Sequence, residues 1–191
     1  MLTLIAGLVI FLGVHSVAIV APGWRERMVA RMGLLPWMAV YSVIAVVGLV
    51  LIIQGYAMAR QAPVVLYWPP VWLRHIALLL MIPVFPLLLA TYLPGRIQAR
   101  VRHPMLAAVK LWAVAHLLAN GMLADVLLFG GFLAWAVVDR ISLKRRNPPS
   151  PPGLPPGALN DAIAVVGGLA VYVAFILWLH AWLIGVPVVA M

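Results

Sequence analysis

The chain contains no cysteine and, in 191 residues, only four acids: Glu26, Asp125, Asp139 and Asp161. The missing thiol excludes disulfides, thiolate metal sites, iron–sulfur clusters, a cysteine nucleophile and covalent CxxCH attachment of haem. No phosphate-binding loop, internal repeat or soluble domain is evident either. Charge is scarce as a whole, 9% of residues against 66% hydrophobic, with a mean hydropathy of +1.13. Soluble domains are nearer about a quarter charged, so this balance is that of an integral membrane protein embedded in lipid.

The charge that is present is basic: 13 Lys and Arg give a formal net charge of +9. In a soluble chain such an excess points to nucleic acid. Here the basic residues fall in short connections between apolar runs, where they report topology, and no nucleic-acid partner is expected.

Apolar runs of roughly 17–25 residues can cross a hydrocarbon core of about 30 Å. Six are read as spanning helices: 2–21, 36–59, 74–93, 104–120, 122–139 and 161–185. Only Asn120-Gly121 parts the fourth from the fifth. One continuous helix over both would rise roughly 54 Å, far beyond a membrane. Asn-Gly is a turn signal, so a tight helical hairpin is expected there. The first run lacks the basic n-region of a signal peptide and is followed directly by Arg25, Arg27 and Arg31.

Those three arginines, with Arg96, Arg100, Arg102, Arg140, Lys144, Arg145 and Arg146, put ten basic loop residues on one side and only Arg60 and Arg74 on the other. The positive-inside rule then gives an N-out, C-out membrane protein. The expected fold is an all-α six-transmembrane-helix bundle, a single domain over 1–191. Residues 147–157, NPPSPPGLPPG, interrupt it. Proline lacks the amide donor and fixes φ, so this stretch is expected as a polyproline-like cytoplasmic spacer before the last helix.

Five histidines stand in or beside these runs: His15, His75, His103, His116 and His180. An ionisable group inside a membrane is costly and is a functional-site hypothesis by default; the alternative is a neutral imidazole bonded to a neighbouring helix. His103 precedes Pro104, which suits the first turn of a helix, so it is expected at the N-cap, as a surface cap or as a site residue. Trp112, His116 and Asn120 form one helical stripe, about 120–140° from His103 and Lys110. Lys110 can snorkel to the cytoplasmic surface, whereas His116 has no such escape. His15 is expected to point into the bundle. His180, between Trp178 and Trp182, fits an aromatic belt as well as a site, and His75 marks a helix start at the surface. By depth, His15 groups with His103 and His116 with His180.

Imidazole ligates zinc, copper and iron. The HxxxH-type spacing of a zinc site is absent. Haem needs only one or two histidines from different helices and an apolar slot, with Arg or Lys available for its propionates. The composition therefore permits non-covalent haem b.

The stretches RHPMLAAVKLWAVAHLLANG and LLFGGFLAWAVVDRISLKRR, with FLGVHS at 11–16 and LHAWLIGV at 179–186, closely resemble the NnrU family of bacterial membrane proteins over nearly the whole chain. That family is linked to denitrification through nitrite and nitric oxide reductase expression, and it is similar to the plant zeta-carotene isomerases, which bind haem b through histidines. The resemblance implies that His15, of the HS element, and His116, of AHLLANG, are axial iron ligands. His103 and His180 would be supporting or alternate ligands, and Trp112 and Asn120 would line the pocket. A cysteine found in the isomerases one turn before the second ligand is Ala113 here, so no thiolate can exchange onto the iron. The implied function is a haem b-binding membrane protein of nitric oxide metabolism, as a sensor or as a redox or isomerase-type enzyme. Its partners would be haem, membrane lipid and denitrification reductases.

Two other readings stand beside it. Arg102-His103-Pro104 with Trp112 resembles in part the methyl-donor site of membrane methyltransferases that use S-adenosylmethionine. In the third reading the protein is a non-catalytic assembly or regulatory factor for nitrite and nitric oxide reductases, and the histidines only stabilise the bundle.

Overall fold

The computed structural model describes residues 1–146 and 153–188. The elements are α1 (Leu2–Val20), α2 (Pro22–Met32), α3 (Leu34–Gln61), α4 (Trp72–Met81), α5 (Val84–Ala90), α6 (Arg96–Val101), α7 (Pro104–Ala119), α8 (Leu123–Ser142), α9 (Asn160–Ala174), a π-helical turn (Phe175–Leu179) and α10 (His180–Ile184). Among the described residues the nearest approach to a strand is one antiparallel bridge, Val65 with Met122.

Each of the six apolar runs is helical. Four helical stretches, Leu2–Val20, Leu34–Gln61, Trp72–Ala90 and Asn160–Ile184, are long and apolar enough to cross a membrane. α7 is shorter, at 16 residues. α8 has the length but carries Asp125, Asp139 and Arg140. Of the proline-rich spacer, residues 147–152 lie outside the described residues. Its second half is not helical and is tied down: Leu154 N donates to Tyr92 O at 2.9 Å, and Asn160 Nδ2 donates to Pro155 O at 3.0 Å and Pro94 O at 2.8 Å.

The chain divides into two compact units, one of residues 1–69 and 120–146, the other of residues 70–119 and the chain from 147 onward. In the first, α1 runs along α3, and glycines set the spacing. A Cβ on Gly7 would stand 2.6 Å from Ile52 N, one on Gly48 would stand 2.8 Å from Phe11 N, and one on Gly55 would collide with the backbone of Leu4. Lipid tails are as apolar as leucine, so helices in a membrane associate through such close van der Waals contact more than through the hydrophobic effect. α8 packs against α1, with Gly131 facing Leu8 and Leu12.

The segment after α1, expected as a charged loop, is the helix α2. Pro22 occupies its first turn, and Arg, Glu, Met and Ala are good helix formers. Gly33, at φ 88°, ends it. Trp24 stands edge-on to Trp37, with centroids 5.6 Å apart.

At the Asn120-Gly121 break, Leu66 N and Tyr67 N donate to Gly121 O at 2.8 and 3.2 Å, and Leu123 N donates to Val64 O at 2.8 Å. Asp125 is 1% exposed. It accepts from Met122 N at 2.9 Å and from the Tyr56 hydroxyl at 2.6 Å. A carboxylate at the positive end of a helix satisfies amides that have no partner one turn back.

In the second unit α5 packs on α9 and α7, and α4 packs on α7. Prolines at 83 and 86 break the α4–α5 span. Ile82 N bonds Leu79 O instead of Leu78 O, and the Tyr172 hydroxyl donates to Leu78 O at 2.8 Å in its place. Asp161 accepts from Arg96 N at 2.9 Å and Ile97 N at 3.0 Å, holding the start of α6.

Gly48→Leu should lower the stability of the detergent-purified protein by about 2 kcal/mol or more, because the added atoms meet backbone that cannot yield. Gly13→Ala, where a Cβ meets nothing within 4 Å, should stay within about 1 kcal/mol of wild type. Thermal unfolding of both checks the pair. Asp125→Ala should cost about 2–4 kcal/mol in the same assay, since it removes a buried cap and the acceptor of the Tyr56 hydroxyl together.

Candidate functional site

A histidine embedded in hydrocarbon has few acceptors within reach, and three of them here solve the problem in the same way. His15 Nδ1 donates to Phe11 O at 2.7 Å, one turn back on α1. His116 Nδ1 donates to Trp112 O at 2.8 Å, one turn back on α7. His180 Nδ1 donates to Val186 O at 2.7 Å, beyond the end of α10. A carbonyl oxygen only accepts, so in each neutral ring Nδ1 carries the proton and Nε2 carries the lone pair. Backbone carbonyls fix metal-ligating imidazoles in this tautomer.

In the first unit, aromatic rings surround His15. Phe11 stacks on it at 4.3 Å between centroids. Tyr41 and Trp135 stand edge-on at 5.3 and 5.9 Å, and Phe132 lies 5.6 Å from Phe11. The Trp135 indole nitrogen is buried and has no hydrogen-bond partner among the described residues. One turn further along α8, Asp139 is already paired with Arg146 at 2.5 Å.

In the second unit, Trp112, His116 and His180 come together. The Trp112 and His116 rings are 5.3 Å apart, and His116 and His180 are 6.5 Å apart with their planes 27° from parallel. Imidazoles ligating one metal from opposite sides through Nε2 have centroids roughly 6 Å apart, given a metal–nitrogen bond of about 2 Å. His180 directly follows the π-helical turn Phe175–Leu179; such a turn shifts the helix register by a residue and is frequent at functional sites. Gly185, at φ 76°, then folds the chain back so that Val186 O reaches the ring. Trp178 and Trp182 on either side are exposed, at 61% and 78%.

His103 is the N-cap of α7, its carbonyl accepting from Ala107 N at 3.1 Å. Its own amide donates to Val101 O at 2.8 Å, closing a three-residue turn about Arg102, at φ 64° and ψ −42°. This is the strained form of the γ-turn, costing of order 1–3 kcal/mol. Asn120 follows the last residue of α7, Lys110 is half-buried on that helix, and His75 is exposed. Among the described residues no three His, Asp or Glu side chains are grouped as a metal-ion ligand set.

Phe11 lies one turn from His15 on α1, as the sequence itself shows, but Tyr41 and Trp135 come from two other helices and the sequence offered no sign of them.

Four helices long and apolar enough to cross a membrane mark a helical membrane protein. The chain belongs to the NnrU protein family, whose model it matches over residues 3–188. No curated protein and no solved structure matches it.

Nitrogen-15 NMR of histidine-labelled protein should find His15, His116 and His180 protonated at Nδ1 and bare of a proton at Nε2. A ring protonated at Nε2 leaves the ligand set.

Proposed function

We propose that the protein binds haem b non-covalently in the bacterial inner membrane and serves denitrification or nitric oxide metabolism, as a sensor or as a redox or isomerase-type enzyme. The proposed topology is six spans, N-out and C-out. His15 and His116 are the proposed iron ligands, with His180 as the alternate beside His116. Trp112 packs against His116, and Asn120 and His103 flank the helix that carries it.

The observation that carries this reading is the shared tautomer: all three intramembrane imidazoles spend Nδ1–H on a carbonyl and keep Nε2 as the basic nitrogen. The donor set suits haem, which takes one or two imidazoles and supplies the rest of the coordination itself. The unsatisfied Trp135 donor beside His15 and the apolar rings around it also suit a flat macrocycle with polar edges. When bound, haem would supply one-electron chemistry or reversible binding of a small diatomic ligand. The chain's own contribution would be to orient the imidazoles, exclude water and set the polarity around the iron.

The spacing of His116 and His180 favours a second reading in which those two hold the iron within one unit. Absorption spectra of the oxidised and dithionite-reduced protein, expressed with ample haem, decide between them. Sharp reduced α and β bands in wild type, lost in His15→Ala and in His116→Ala, support the first assignment. Loss in His116→Ala and His180→Ala with His15→Ala unchanged moves the iron to the second unit. A colourless wild type sinks haem binding, and S-adenosylmethionine binding at the strained Arg102 turn becomes the next measurement.

A further inference from the structure

An indole nitrogen can donate a hydrogen bond but cannot accept one. Buried without a partner, it costs about 1–3 kcal/mol, and Trp135 Nε1 is in that state. Water and lipid do not reach it, and lipid tails hold no acceptor in any case. The lone pairs nearest to it, on His15 Nε2 and the Tyr41 hydroxyl, make no hydrogen bond to it. His15 Nδ1 is a donor committed to Phe11 O, and the Asp139 carboxylate is committed to Arg146, which is itself fixed by its Nε donating to Ser142 Oγ at 2.8 Å. Ser16 turns its hydroxyl onto Leu12 O at 2.6 Å. Phe11 and Phe132 have no polar atoms. The indole nevertheless stands perpendicular to the His15 ring, at 5.9 Å and 88°.

A ligand that satisfies the indole brings an oxygen or nitrogen lone pair, and a flat apolar body suits the aromatic rings around it. Resting on the haem reading above, we infer that Trp135 Nε1 donates a hydrogen bond to a propionate carboxylate of haem bound at His15. Trp135 is then a binding residue that sets the rotation of the macrocycle about the His15–iron axis. An anionic acceptor suits the donor, because hydrogen bonds to charged oxygen are the stronger kind.

The test compares haem b with its dimethyl ester, whose propionates carry no charge, on wild type and Trp135→Phe. The phenylalanine keeps an aromatic ring and removes only the donor. Trp135→Phe should weaken haem b binding about tenfold, as expected for one charge-assisted hydrogen bond, and leave the ester's affinity within about twofold of wild type. In wild type, the Trp135 indole proton resonance should lie further downfield with diamagnetic zinc protoporphyrin than with its dimethyl ester, which has the same ring current. That second measurement needs no variant to fold. Equal affinities for haem b in the two proteins, or the same indole proton position with both zinc porphyrins, overturn the inference while haem binding stands. Wild type that takes up no haem overturns both.

Discussion

Inside a hydrocarbon layer, a polar side chain on a helix must find its partner on the protein, and the nearest carbonyl lies one turn back. His15, His116, Ser16 and Thr91 all use it, on Phe11, Trp112, Leu12 and Leu87. For serine and threonine the bond settles the hydroxyl and nothing more follows. For histidine it settles the tautomer and points the basic nitrogen away from its own helix, toward whatever packs there. The demand that buried polar groups be satisfied thus also decides which ring nitrogen keeps its lone pair. His180 meets the same demand differently: after the π turn its carbonyl comes from ahead, at Val186, and Gly185 makes the return possible.

The same constraint explains the ends of the helices. Asp125 receives Met122 N and the Tyr56 hydroxyl, and Asp161 receives Arg96 N and Ile97 N. Two of the four acids in the chain are therefore spent on helix starts and a third on Arg146. Leu78 O, deprived of its helical donor near Pro83, takes one from Tyr172 on another helix. Few charges are present, and three of the four acids have partners on the chain. Against that background the Trp135 nitrogen, without a partner among the described residues, stands out.

Hydropathy located the helical stretches, four of them long and apolar enough to cross a membrane, because a long apolar stretch has few other solutions there. Pro104 likewise announced the start of α7, and Asn120-Gly121 announced its end. Other features depended on contacts that no window of sequence contains. α2 read as a loop because its arginines were used to infer topology, although the same residues have good helix propensity. The proline-rich stretch read as a plain spacer, and only the fold shows Leu154 and Pro155 bonded to Tyr92 and Asn160. The π turn before His180 has no composition of its own; FILWL would serve equally in an α-helix.

The histidines were legible as residues of interest but not as a geometry. Depth along the helices grouped His116 with His180, and these two rings do lie near each other in the second unit. Depth also grouped His15 with His103, which belong to different units. His15 sits among aromatic side chains of its own unit, and His103 caps a helix beside a strained arginine. Helical periodicity tells which residues share a face, and depth tells which share a layer. Neither tells which faces meet, because in lipid that choice rests on where glycines such as Gly48 and Gly55 allow two backbones to touch. The packing of α1 on α3 through those glycines brings Tyr41 to His15, and the packing of α8 on α1 brings Trp135 there. The aromatic surroundings of that imidazole are thus a consequence of small residues elsewhere on the same helices.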